Sequence, residues 1–136
     1  MNKNILTIAC ILGLLSVAFG AFGAHGLEKL VTADAVKTFE TGVRYQMYHA
    51  LLLIGVGMLP ILKQRTKKMI CWLIVIGVLL FSFSIYLLAL RSLLPFDSTA
   101  IAFLTPIGGL FLIGGWGYLA LAIFKHKQSD VNLEAP

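Results

Sequence analysis

The sequence predicts an all-α integral membrane protein, folded as a single bundle of four transmembrane helices. The first reason is composition: 59% of the 136 residues are hydrophobic and 12% are charged. The mean hydropathy of +0.91 lies far outside the range of soluble domains. The second reason is that the charged residues cluster between long uncharged runs. That pattern is typical of membrane proteins, because a charge at the centre of the hydrocarbon costs about 2.5–3.5 kcal/mol.

The four predicted spans lie at about residues 5–24, 45–62, 69–90 and 105–124. The first is twenty uncharged residues, enough to cross about 30 Å at about 1.5 Å per residue. The second belongs to a longer helix from Ala33 to Leu62, which Thr32 caps and whose first half extends into the outer interface. Its apolar run begins only at Ala50. The span must therefore include the polar residues just before it, which places them at its outer end.

A short basic segment, residues 63–68, joins the second and third spans. Its shortness predicts that these two spans are antiparallel neighbours. Thr105 and Pro106 have the signature of a helix start. The fourth helix therefore either begins there or begins near Ala100 with a kink at Pro106. Residues 125–136 are predicted as a polar, mobile C-terminal tail, so the whole chain forms one membrane domain.

The distribution of lysine and arginine predicts the orientation. Seven lie near one end of the spans: Lys3, Lys63, Arg65, Lys67, Lys68, Lys125 and Lys127. Four lie near the other: Lys29, Lys37, Arg44 and Arg91. The protein is predicted to lie in the plasma membrane. Cytoplasmic loops carry the excess of positive residues, so both termini are predicted to face the cytoplasm. We attribute the net charge of +5 to interaction with the lipid bilayer. Binding to nucleic acid is not predicted, because no basic stretch is interleaved with aromatic residues.

Small residues recur at helical spacing on two of the spans. They are Gly13, Ser16, Gly20 and Ala24 on the first, and Gly108 and Gly115 on the fourth. Faces of this kind let a neighbouring backbone approach closely, which drives association where lipid offers no hydrophobic gain. We therefore predict helix-packing faces, with a second copy of the chain or another membrane protein as the partner.

A candidate polar cluster consists of His25, Glu40, Arg44, Tyr45 and His49. If the first two spans pack side by side, the two histidines come to similar depth near the outer interface. One hypothesis is a proton-handling, ligand or metal site, because ionisable groups at membrane depth are often functional. The other is structural: Arg44 and Tyr48 anchor the helix at the interface, and the histidines hydrogen-bond backbone carbonyl groups at a helix end.

No catalytic, cofactor-binding or metal-binding residues are predicted. Two histidines and two distant cysteines do not make a zinc site, and there is no nucleophile elbow or phosphate loop. We expect a non-enzymatic protein that acts by helix packing, as a homo-oligomer or with another membrane protein. The alternative is a small transporter or channel that uses the polar cluster.

Three segments resemble one known family: residues 19–27, residues 39–53 and the glycine-rich start of the fourth span at residues 105–110. They are similar to domain of unknown function 423, also called uncharacterised protein family 0382, of small bacterial membrane proteins with a similar vertebrate relative. The resemblance covers nearly the whole chain. It implies a multi-pass plasma-membrane protein of unassigned activity, with no catalytic residues to transfer to this sequence.

Overall fold

A computed structural model describes residues 1–95 and 99–134, with side chains for residues 1–95 and 101–126. Four long helices make up the fold: α1 (Lys3–His25), α2 (Ala33–Met58), α3 (Gln64–Ala89) and α4 (Leu104–Glu134). Short 3-10 turns lie at Leu27–Lys29, Arg91–Leu93 and Thr99–Phe103. None of the described residues forms a β-strand, and the predicted all-α fold class is confirmed.

Three of these helices are long and apolar enough to cross a membrane. The qualifying segments are Lys3–Lys29, Gln64–Ala89 and Ile101–His126, which correspond to α1, α3 and α4. Helix α2 is as long as α3 but carries Arg44, Gln46 and His49 in its middle, which lower its hydropathy. Composition alone therefore supports three spans.

Side-chain caps begin the first two helices. The Asn2 side chain accepts a hydrogen bond from the backbone N–H of Ile5, at 3.2 Å. The hydroxyl of Thr32 accepts from the backbone N–H of Ala35, at 3.3 Å. The predicted cap at Thr32 is present, and α2 begins where its sequence signal places it.

The boundaries around the basic connection differ from those predicted. Helix α2 ends at Met58 and not at Leu62, because Pro60 disfavours the helical conformation of the residue before it. Leu59 accordingly has φ −55° and ψ 114°. Helix α3 begins at Gln64, five residues before the predicted start, because lysine, arginine and glutamine are good helix formers.

Helix α4 begins at Leu104, so Thr105 and Pro106 lie in its first turn, and the described residues just before it form a 3-10 turn. The helix then continues to Glu134, through most of the segment predicted as a polar, mobile tail. No glycine or proline occurs between Gly117 and Pro136 to end the helix. Residues 135 and 136 lie outside the described chain.

The helices pack in chain order: α1 against α2, α2 against α3, and α3 against α4. Buried apolar side chains from all four form the main core, including Ala9, Leu53, Ile74 and Leu112. A second cluster lies at the opposite end from the basic connection, where the rings of Phe39 and Tyr86 are 4.7 Å apart. Together these contacts fix the depth of every residue in α2 relative to α1 and α3.

The small-residue face of α1 lies against α2. The Ser16 hydroxyl donates to the carbonyl oxygen of Val43 at 2.9 Å. A Cβ placed on Gly20 would lie 3.5 Å from the Cγ1 of Val43, and one on Gly13 would lie 3.9 Å from the Cβ of Ala50. Ala24 is exposed and does not join this face.

One residue earlier, Gly23 is buried and takes the place predicted for Ala24. A Cβ on Gly23 would lie 3.2 Å from the Phe39 ring. At about 100° per residue, Gly23 lies only about 20° around the helix from the buried Ser16, whereas Ala24 lies about 80° from it.

The predicted glycines of α4 lie against α3. A Cβ on Gly108 would meet the backbone of Leu80 and Phe81, and one on Gly115 would lie 2.6 Å from the Cδ1 of Ile74. In contrast, Gly114 and Gly117 face open space. The glycines that lie against α3 are therefore committed to packing within the chain.

Candidate functional site

A layer of hydrogen-bonded polar side chains crosses the middle of the bundle, centred on Gln46 of α2. Gln46 is 4% exposed. Its Nε2 donates to the carbonyl oxygen of Leu12 in α1, and its Oε1 accepts from the hydroxyl of Tyr86 in α3; both distances are 2.9 Å. One amide side chain thus connects three helices through both of its polar ends.

His49 lies one turn further along α2 and is 5% exposed. Its Nε2 is 3.3 Å from the indole Nε1 of Trp116 in α4, and its Nδ1 is 2.7 Å from the carbonyl oxygen of Tyr45. Because an indole N–H can only donate, the Nε2 of His49 must accept. The imidazole is therefore neutral, with its proton on Nδ1 donated to Tyr45.

The polar layer lies near mid-depth of the bundle. Val43 and Ala50 of α2 face Ser16 and Gly13 of α1, and these two residues are close to the middle of the Lys3–His25 helix. Both Gln46 and His49 fall between these contact points. Their position makes His49 an ionisable residue far from either end of α1, which is the kind of position that marks functional sites in membrane proteins.

Two buried serines of α3, Ser82 and Ser84, lie within about one turn of Tyr86 in sequence. The Ser84 Oγ donates to the carbonyl oxygen of Phe81 at 2.9 Å and lies 2.7 Å from the Thr105 Oγ1. Ser82, one turn before Tyr86, is 1% exposed. Its hydroxyl has no hydrogen-bond partner among the described residues.

The structure separates the five residues of the predicted polar cluster. Tyr45 and His49 do come together: their rings stack at 6.2 Å, and the Tyr45 carbonyl holds the imidazole. Glu40 and Arg44 are both exposed on α2. The Arg44 guanidinium donates to the Thr41 hydroxyl at 3.1 Å.

His25 does not meet His49, contrary to the predicted similarity in depth. Gly23 of α1 lies against Phe39 of α2, so the exposed His25 is level with the first turns of α2. His49 is ten residues beyond Phe39, which is about 15 Å along a helix. The prediction failed because it placed the polar residues of α2 at the outer end of its span, whereas the helix pairs with α1 from end to end.

Lys67, within the basic segment that joins the second and third predicted spans, is buried. It is 1% exposed, and its Nζ donates to the carbonyl oxygen of Gly57 at 3.0 Å. The backbone N–H of Asn2 donates to the same oxygen at 3.0 Å. This carbonyl lies in the last turn of α2, where it lacks an intrahelical partner. It joins the end of α2 to the starts of α1 and α3.

Two grooves open at this basic end. One, of about 330 Å³, lies between the start of α3 and the end of α4 and includes Lys63 and Lys125 in its lining. The other, of about 370 Å³, lies between α1 and α3 and includes Asn2 and Lys68. In the described part of the chain, no group of three or more His, Cys, Asp or Glu is arranged to hold a metal ion.

Comparisons with known proteins find the same family that the sequence motifs resemble. Residues 19–109 match the family described as protein of unknown function (DUF423). The UPF0382 membrane protein of Haemophilus influenzae is 38% identical over 94% of this chain and 99% of its own length.

The UPF0382 inner membrane protein YgdD of Escherichia coli is 34% identical over 98% of both chains. No solved structure matches. This chain is a membrane protein and belongs to the DUF423, or UPF0382, family.

Proposed function

We propose that the protein is a non-enzymatic, self-associating membrane protein in which all four helices cross the bilayer and α2 presents a polar face to a second copy. The observation that carries the proposal is Arg44. Its Cα lies at a depth close to the middle of α1, and its side chain is exposed on the outside of the bundle. The guanidinium bonds to Thr41, one turn nearer the outer end of α2.

The assignment of α2 as a fourth span rests on its pairing with α1. At one end Asn2 bonds to Gly57, and at the other Gly23 contacts Phe39. If α1 crosses the bilayer, α2 between these points crosses it too. The first turns of α2, with Asp34 and Lys37 exposed, then lie in the outer interface.

At this depth, Arg44 requires a partner beyond its own chain. It follows Val43, which bonds to Ser16 near the middle of α1. An arginine facing lipid there would cost about 2.5–3.5 kcal/mol on insertion scales. The hydroxyl of Thr41 supplies one neutral acceptor, which leaves the charge unbalanced.

A second copy supplies the missing carboxylate. Glu40 is exposed one turn from Arg44 on the same helix and makes no ion pair within the described residues. A two-fold axis along the membrane normal places two α2 helices side by side and parallel. Such an axis places each residue level with its own copy, so Glu40 and the Arg44 of the other copy are offset by one turn, about 6 Å, which their long side chains can span. If one such pair forms, the symmetry produces the second.

The remainder of the exposed face suits such a contact. Tyr48 is 57% exposed, and it follows Arg44 by one turn. Further along, a Cβ on Gly55 would meet nothing within 4 Å, which allows two helices to approach closely. A non-enzymatic role is supported by the interior: Gln46, His49 and Tyr86 are held by each other, by backbone carbonyls or by Trp116.

Cysteine cross-linking in native membranes tests the interface. In a variant with Cys10 and Cys71 replaced by alanine, we expect Tyr48→Cys to form a disulfide-linked dimer on mild oxidation. Leu14→Cys on α1 and Leu110→Cys on α4 are matched controls, being 68% and 69% exposed on other faces. Equal cross-linking at all three positions, or none at Tyr48→Cys, would contradict the proposal.

The orientation with both termini in the cytoplasm is part of the proposal. The antiparallel packing brings Lys3, the 63–68 segment and Lys125 to one end of the bundle, in agreement with the charge rule. In the same cysteine-free background, Ser92→Cys should react with a membrane-impermeant thiol reagent in intact cells, and Gln64→Cys should react only after lysis. Reaction of Gln64→Cys in intact cells would reverse the orientation.

A second candidate function, a small transporter or channel, is favoured by the mid-depth position of His49. Its Nε2 accepts a hydrogen bond from Trp116, which is 51% exposed. Trp116 must release this nitrogen before the imidazole can take up a proton there. This hypothesis expects a proton flux in proteoliposomes that His49→Gln abolishes. No flux from the wild-type protein under a pH gradient would leave His49 as a structural residue.

A further inference from the structure

The groove between the start of α3 and the end of α4 has two chemically different parts. Its lining includes the apolar side chains of Ile61, Leu121 and Ala122, together with Lys63, Lys125 and His126. The volume is about 330 Å³. An apolar slot beside basic groups at the end of a transmembrane bundle matches one class of ligand, an anionic lipid with an acyl chain and a phosphate.

We propose that this groove binds one anionic phospholipid, with an acyl chain against Leu121 and Ala122 and the phosphate between Lys63 and Lys125. This groove is separate from the proposed α2 interface, and lipid binding in it does not depend on self-association.

The charge on the α3 side of the groove supports an anion. The sequence has no aspartate or glutamate between Glu40 and Asp97, a stretch that contains the whole start of α3. Lys63 is the N-cap residue of α3 and makes no side-chain cap hydrogen bond. The N–H groups of the first turn add the positive end of the helix dipole to the same side of the groove.

The apolar part of the groove argues for a lipid and against free phosphate. Leu121 is 58% exposed, and its neighbour Ala122 lines the same groove. A soluble anion would use only the basic rim and leave these side chains uncovered. A phospholipid covers them with an acyl chain while its phosphate stays level with the lysines.

Binding is measured on the full-length protein in neutral detergent, by native mass spectrometry with phosphatidylglycerol added. Phosphatidylcholine is the zwitterionic control. We expect phosphatidylglycerol to bind at least tenfold more tightly than phosphatidylcholine. The double variant Lys63→Gln/Lys125→Gln should lose about thirtyfold in affinity, since each basic residue near a headgroup contributes about fivefold. Equal binding of the two lipids by the wild-type protein would overturn the proposal.

Arg65→Gln is the matched charge control, because Arg65 is exposed in the same basic segment but does not line the groove. It should retain wild-type affinity. Leu121→Trp keeps every charge and fills the apolar slot, so it should also weaken binding about tenfold. An affinity loss in Arg65→Gln equal to that of the double variant, an unchanged Leu121→Trp, or displacement of the lipid by millimolar inorganic phosphate would each contradict a phospholipid site.

Discussion

Gly108→Ala is expected to destabilise the bundle by about 3 kcal/mol. A Cβ at Gly108 would lie 2.8 Å from the carbonyl carbon of Leu80 and 2.9 Å from the carbonyl oxygen of Gly77, and would also collide with the backbone nitrogen of Phe81. These are backbone atoms of α3, which cannot rotate away as a side chain can. The two helices must separate, at the cost typical of severe overpacking.

Gly117→Ala is the matched control on the same helix. A Cβ there would meet nothing within 4 Å, so this variant should be neutral or slightly more stable, because alanine favours helix more than glycine does. The measurement is reversible unfolding in mixed detergent micelles. Equal stability of the two variants would mean that α3 and α4 do not pack through Gly108.

Gln46→Leu is the second substitution with a large expected effect, a loss of about 1–3 kcal/mol. It removes the acceptor of the Tyr86 hydroxyl and the donor to the Leu12 carbonyl, and it leaves the phenol O–H buried without a partner. Tyr86→Phe should cost less, because it deletes that donor and leaves the bond from Gln46 to Leu12 intact.

A double-mutant cycle measures the contribution of the hydrogen bond between Gln46 and Tyr86 separately from the other effects of the two substitutions. We expect Gln46→Leu/Tyr86→Phe to be more stable than the sum of the two single losses predicts, since the unpaired phenol is absent from the double variant. Strictly additive losses would mean that Gln46 and Tyr86 contribute independently and that their hydrogen bond adds little.

Hydropathy identified the three apolar helices because charge is excluded from hydrocarbon. Gly108 and Gly115, two of the small residues predicted for helix packing, lie against α3 of the same chain, whereas the prediction gave them a second copy or another membrane protein as partner. The end of α2 was predicted four residues too late. Its cause, Pro60, was visible in the sequence, but the apolar residues after it suggested a continuing helix.

The depth of the polar residues could not be predicted from local sequence. Depth depends on how α2 is paired with α1, and distant contacts such as that between Asn2 and Gly57 set this pairing. A glutamine or histidine beside an apolar run resembles an interfacial residue whenever its neighbours in space are unknown. For the same reason, the local sequence did not indicate that Trp116 contacts His49 or that Lys67 contacts Gly57.

The mass of the protein in native-lipid particles tests the self-association most directly. We expect a dimer, with twice the 14.8 kDa of one chain. Arg44→Glu should yield monomers, because four carboxylates would then meet at the interface, and the charge exchange Glu40→Arg/Arg44→Glu should restore the dimer. A wild-type protein that is monomeric in native lipid would contradict self-association. An Arg44→Glu variant that remains dimeric would contradict the pairing of Glu40 with Arg44 between copies.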